Sequence, residues 1–210
     1  MSMNRNDERA MVLAALHRAA AQAKLAWPPD KPGPAPLREF IAAFNLTHDE
    51  VPKLCRAKVA LTFEKAGIEP PQEFWKNSAP LAGFLFANAD GGYILVNAED
   101  PVPRRRFSAA HELGHFLLHF RLGNADPVGG YLQEDETITE ADEEDLAAME
   151  RQANLYAAEL LMPEEACRRI AAEALQKGGH SPAYLEHKLA GELLVSREAA
   201  RWRIRGLKLL

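Results

Sequence analysis

The chain has 210 residues, 47% of them hydrophobic, which is enough for one sizeable core with room for a small appendage. Its net charge of −5 argues against coating nucleic acid as its main business, because phosphate binding rewards clustered Lys and Arg; a local basic contact is not excluded, but it is not favoured. No apolar run approaches the ~18–20 residues a membrane span needs, so no membrane partner is expected and a cytoplasmic protein is the default.

Residues 7–26 predict a helix, rich in Ala and Leu and without Gly or Pro. Asp7, Glu8 and the lack of a strongly apolar stretch there argue against a signal peptide. The segment "WPPDKPGPAP" stops the helix; five of its ten residues are proline, which makes a stiff, extended connector. Residues 1–36 are therefore expected to form an N-terminal helical arm and its Pro-rich connector, either standing off or docking back. Residues 37–67 read as helical in two pieces, "LREFIAAFN" and "THDEVPKLCRAKVALTFEKAG", with Thr47 as N-cap and Gly67 as the stop. The cysteines, Cys55 and Cys167, match no CxxC pattern and are expected to be reduced and buried.

The texture changes at residue 81. "LAGFLFAN-ADGG-YILVN" gives two short apolar strands around an Asp- and Gly-containing turn, the pattern of a β-hairpin. Asp100-Pro101 then offers the start of a helix that runs through "FSAAHELGHFLLHF" to about Phe120. "RLGNADPVGG" reads as loop and "QEDETITEADEEDL" as a solvated acidic stretch. A helix over 142–161 follows, then another with Pro163 near its first position, and finally a pair of helices separated at "VS".

Chemistry concentrates in "HELGH", His111-Glu112-x-x-His115. Residues four apart lie on one helix face, so two imidazoles there can bind one Zn²⁺ at ~2.0–2.1 Å. Glu112, next along the helix, is placed to take a proton from zinc-activated water without ligating. Chance gives HExxH in roughly two chains in a hundred of this His and Glu content, so the surroundings matter. Here the motif falls on a segment that is helical on other grounds and follows a hairpin.

A catalytic zinc needs a third protein ligand and an open fourth position. His119 keeps the spacing, but two helical turns put it ~12 Å from His111, too far to share one ion easily. The HExxHxxGxxH pattern fails because Leu118 stands where Gly is required. On the next helix, "MERQANLYAAELLMP" sets Glu150, Asn154, Ala157 and Leu161 on one stripe. A glutamate buried there against a partner helix needs a cation, and Asn154 one turn on can orient a ligand histidine. Glu159 falls on the opposite face; Glu143, two turns before Glu150, stays as the weaker rival. Tyr131, Tyr156 and His180 are candidates to hold an oxyanion, none favoured.

Three blocks, "RFSAAHELGHFLLH", "ERQANLYAAELLMP" and "LAGELLVSREAARWRIRGLKLL", together resemble the ImmA/IrrE family of zinc metallopeptidases, over about residues 81–210. The resemblance implies an α+β, small zincin-like fold, mostly helical, with a short sheet beside the HExxH helix. It implies one zinc per chain, held gluzincin-like by His111, His115 and Glu150, with Glu112 as general base. It further implies a peptidase cutting a regulatory protein, typically a DNA-binding repressor of the helix-turn-helix type, in response to stress. The chain departs from the family pattern in three ways. Residues 1–36 show no helix-turn-helix, Ser108-Ala109 replaces a frequent Thr-Leu, and the gap between His115 and Glu150 is long.

At the end of the chain, Ser196 can cap a helix whose Arg197, Arg201, Arg205 and Lys208 fall roughly along one face. The layout resembles a helix-turn-helix, although a helical pair packed on the core explains it as well. The expected organisation is arm and connector (1–36), zincin-like core (37–178) and C-terminal helical pair (179–210). Two functions follow: a zinc endopeptidase, or a zinc-containing regulatory protein that binds a partner or DNA with little proteolysis.

Overall fold

The computed structural model describes residues 4–30, 33–88, 91–120, 140–178 and 181–210. The loop expected over 121–130, the first half of the acidic stretch, Tyr131 and His180 lie outside them, and so does the side chain of Glu143. The fold is α+β and mostly helical, with one three-stranded sheet.

Helix α1 (Arg5–Ala23) is capped by Asn4, whose side chain accepts from the backbone N–H of Asn6 and Asp7. It docks back rather than standing off: Val12, Ala15, Leu16, Ala19 and Ala20 are buried in the main core, spaced along one helical face. Helix α2 (Leu37–Ala42) follows the Pro-rich connector and buries Leu37, Phe40 and Ile41.

The next segment corrects the sequence reading. Residues Leu46–Val51 form strand β1, not the start of a helix capped by Thr47. Pro52 lacks an N–H and would break a helix running from 47 to 67, and Lys53 turns the chain through the left-handed region. Helix α3 begins only at Arg56 and ends at Lys65, with Cys55 as its N-cap and Gly67 at φ +73° just beyond. Cys55 is half-buried, short of the full burial expected, whereas Cys167 is buried; both are free thiols.

Strands β2 (Gly83–Asn88) and β3 (Gly91–Asn97) form the expected antiparallel hairpin, with Gly83 opposite Val96. Strand β1 pairs in parallel with β3, Leu46 opposite Gly92 and Val51 opposite Asn97, so the order is β1-β3-β2 and β2 is an edge strand. Period-two alternation splits the hairpin's side chains between two cores. Leu85, Ala87, Ile94 and Val96 join the main core; Phe86 and Leu95 join a smaller one with Phe63 and Phe74.

Helix α4 (Val102–His115) packs on β2 and β3. The helix continues to Phe120 as expected, but its last five residues, Phe116–Phe120, widen into a π-turn. Helix α5 (Glu140–Leu161) lies against α4, the most extensive helix pairing among the described residues. Leu113 of α4 and Tyr156 and Leu160 of α5 are fully buried between them and their neighbours. Burying each of the two leucines contributes about 1.5–3 kcal/mol. Helices α6 (Glu164–Gln176), α7 (Pro182–Leu193) and α8 (Arg197–Leu207) close the far side. Ser196 Oγ accepts from the Ala199 N–H at 3.0 Å, capping α8. None of the described helices is long and apolar enough to cross a membrane.

Candidate metal centre

Helices α4 and α5 approach closely because of what they lack. A Cβ added at Gly114 would lie 3.1 Å from Tyr156 Cβ and 3.2 Å from Ala153 Cα. Ala153 and Ala157 are fully buried at the same crossing. Glycine inside a helix costs about 1 kcal/mol relative to alanine, so its presence in HELGH has a packing reason.

Across that crossing His111, His115 and Glu150 converge, their ligand atoms all within 4.8 Å of one another. His111 Nε2 and His115 Nε2 are 2.9 Å apart. Glu150 Oε1 lies 3.0 Å from His115 Nε2, and its Oε2 lies 3.4 Å from His111 Nε2. Tetrahedral zinc with ~2.0–2.1 Å bonds spaces neighbouring ligands about 3.3 Å apart, so the donor set fits that ion. Two imidazole lone pairs at 2.9 Å also repel unless a proton or a cation stands between them. Burial first, then the neighbouring His111 and His119, pushes His115 down to about 3, leaving its ring neutral and able to ligate at pH 7.

The supports differ between the two histidines. His111 Nδ1–H donates to Asn154 Oδ1 at 3.1 Å, which directs Nε2 toward the cluster. His115 is 3% exposed, and its Nδ1 has no hydrogen-bond partner among the described residues. Glu150 departs from the burial argument that singled it out. Its side chain is 56% exposed, so it reaches the histidines from the rim of the helix pair rather than from within it.

Two of the rivals, His119 and Glu159, are elsewhere. His119 Nε2–H donates to the Met149 carbonyl at 3.2 Å, tying the π-turn to α5. Glu159 is 1% exposed on the other side of α5. Arg203 grips it at 2.5 and 3.1 Å and Arg9 at 2.7 Å. Burial alone would raise the Glu159 carboxyl, but these bonds outweigh it and hold it below the usual range. Tyr156 is fully buried, so its hydroxyl cannot reach a substrate.

Glu112 stands outside the donor set. Its carboxyl lies against the β2 backbone, where a Cβ on Gly83 would come within 2.6 Å of Oε1. Burial pushes Glu112 up to about 8, and the Glu150 carboxylate adds to the rise. Burial of this kind makes a carboxylate more basic, which suits it to accepting a proton. A groove of about 990 Å³ opens from His111, Glu112 and Asn154 and runs between β2, α4, α5 and α8.

Sequence reasoning missed Gly83, Gly114 and the Arg9–Glu159–Arg203 cluster. The spacing of HELGH placed Gly114 on the helix, but only the partner helix reveals what it must avoid. Three consecutive arginines near the start of α4 are engaged as well: Arg104 pairs with Asp100, Arg105 with Glu50 of β1, and Arg106 donates to the Ala35 carbonyl.

Among known proteins, the family described as the IrrE N-terminal-like domain matches residues 75–205. No curated protein matches the chain.

Proposed function

The chain belongs to the ImmA/IrrE family, through its IrrE N-terminal-like peptidase domain, and from that premise we propose that it is a zinc-dependent endopeptidase acting on a regulatory protein. The observation that carries this reading is the division of labour at the α4–α5 crossing. Three donor atoms converge, while a fourth group, Glu112, is held apart from them at the mouth of a groove.

His111, His115 and Glu150 would hold the ion. Zinc bound there supplies Lewis acidity, lowering the pKa of water toward ~7 and polarising a carbonyl. Asn154 fixes the tautomer and direction of His111. Glu112 takes a proton at its carboxylate and returns it to the leaving amine, and packing against Gly83 fixes where that carboxylate points. The edge strand β2 runs beside it, and an extended substrate segment can add to that edge by backbone hydrogen bonds. Cleavage unaffected by a proline on that edge would remove this part of the reading.

The proposed substrate is a DNA-binding repressor of the helix-turn-helix type, met in the cytoplasm. Its support is the resemblance of the three sequence blocks, and the experiment is direct. The purified, zinc-loaded chain is incubated with candidate repressors, and products are identified by mass spectrometry, with Glu112→Gln as control. Cleavage by wild type alone supports the peptidase. Regulation retained by Glu112→Gln would favour the binding-protein reading instead. Direct action on DNA has less behind it. Arg197 and Arg201, which would form a basic reading face, are engaged by Glu186 of α7.

A further inference from the structure

The groove that opens at Glu112 does not end on the catalytic helices. It runs on beneath α8, between Phe107 of α4, Ala158 and Leu161 of α5, and Trp202 of α8. At about 990 Å³ it reaches the upper end of the ~300–1,000 Å³ range of small-molecule pockets, which suits a stretch of peptide better than one compact ligand.

Trp202 is the anomaly in that wall. It is 64% exposed, the most exposed large apolar side chain among the described residues. The other face of α8 is buried through Ala200 and Ile204. Arg203, the neighbour of Trp202, is clamped to Glu159 and donates to the Met162 carbonyl at 2.9 Å, so the helix is fixed to the end of α5. The Arg205 guanidinium lies 5.6 Å from the Trp202 ring centroid and steadies it. An indole held on a rigid element, facing an apolar groove continuous with the metal centre, is a preformed receptor for another apolar group.

We propose that α8 forms one wall of the substrate cleft and that Trp202 receives a bulky apolar side chain of the substrate, of Leu or Phe size, on the residue flanking the cut. This rests on the peptidase reading and adds specificity to it. The C-terminal helix then serves to select the peptide sequence, and its arginines serve to hold it in place.

The test uses full-length, zinc-loaded protein and internally quenched decapeptides carrying Ala, Leu, Phe, Asp or Lys at one flanking position at a time. Wild type is expected to favour Leu or Phe over Ala by about tenfold in kcat/KM at one position, the scale a hydrophobic pocket provides. Trp202→Ala is expected to erase most of that preference and Trp202→Phe to keep most of it. An unchanged preference in Trp202→Ala would overturn the assignment while leaving the peptidase intact. An even fall on every peptide would overturn it too, marking Trp202 as a packing residue. A second measurement follows fluorescence anisotropy of a labelled Leu decapeptide on metal-free Glu112→Gln protein, with and without Trp202→Ala. Binding that depends on Trp202, in a protein whose wild type cuts nothing, would sink the peptidase reading and keep the apolar receptor. Binding indifferent to Trp202 would remove the receptor.

Discussion

The carboxyl of Glu112 is packed against the backbone of Gly83, so closely that a single Cβ there would stand 2.6 Å from Oε1. Strand β2 therefore acts as a stop for the proposed general base. Gly83 does not have a positive φ, so alanine meets no backbone strain and only the side-chain collision remains. Gly83→Ala is expected to lower kcat by about 10–100-fold, within the range a displaced general base accounts for, with zinc content unchanged. Full activity in a correctly folded Gly83→Ala protein would mean that Glu112 is not held by this contact.

Glu112→Gln keeps the size of the side chain and removes its basicity. Cleavage is expected to drop by about 10²–10⁴-fold, while elemental analysis still finds one zinc, because Glu112 is not among the three converging donors. Loss of metal from this variant would place Glu112 among the ligands.

Glu150→Ala removes one of those donors, and Asn154→Ala removes only the acceptor behind His111. The first is expected to abolish stable zinc binding. The second is expected to weaken it by about 10–100-fold, as measured by competition with a chelator of known affinity. Equal effects would contradict the division between a ligand and its support.

Gly114→Val drives a branched side chain into Tyr156 and Ala153. Overpacking of this kind costs about 1–3 kcal/mol and separates α4 from α5. Because the histidines ride on one helix and Glu150 on the other, zinc affinity should fall along with the urea midpoint. A lower midpoint with undiminished zinc affinity would show that the crossing does not set the metal geometry.

Glu159 gives a pH prediction. Its folded pKa lies below that of an unfolded glutamate, about 4.3, because Arg203 and Arg9 prevail over burial. Its contribution is thus fully present at neutral pH and is lost as pH falls through the lower folded value. Glu159→Gln leaves two guanidiniums without their carboxylate and should cost about 3 kcal/mol at pH 7. Urea titrations at pH 7 and pH 3 should show the gap between wild type and variant narrowing at the lower pH; a constant gap would argue against the ion pairs as its source.

Local patterns in the sequence carried much of this. The hairpin at 83–97, the helix bearing HELGH and the stripe from Glu150 to Leu161 were legible because each repeats its signal over several residues. Strand β1 was not. Its only strongly apolar residues are at its two ends, Leu46 and Val51, and its ladder partner begins 46 residues later at Gly92. The placement of Glu150 on the α4-facing side was readable from helical periodicity, but its exposure was not, because periodicity fixes direction and says nothing of depth. The Glu159 cluster joins residues 150 and 44 apart in sequence, and no local signal reports such a meeting.

That cluster ties the first helix and the last to one carboxylate, on the helix that also bears Glu150 and Asn154. Helices α1 and α8 are in this sense a buckle fastened behind the candidate metal centre. A cut through α1 or α8 would loosen the fastening from behind, and the spacing of the three donors would register the damage long before the protein came apart.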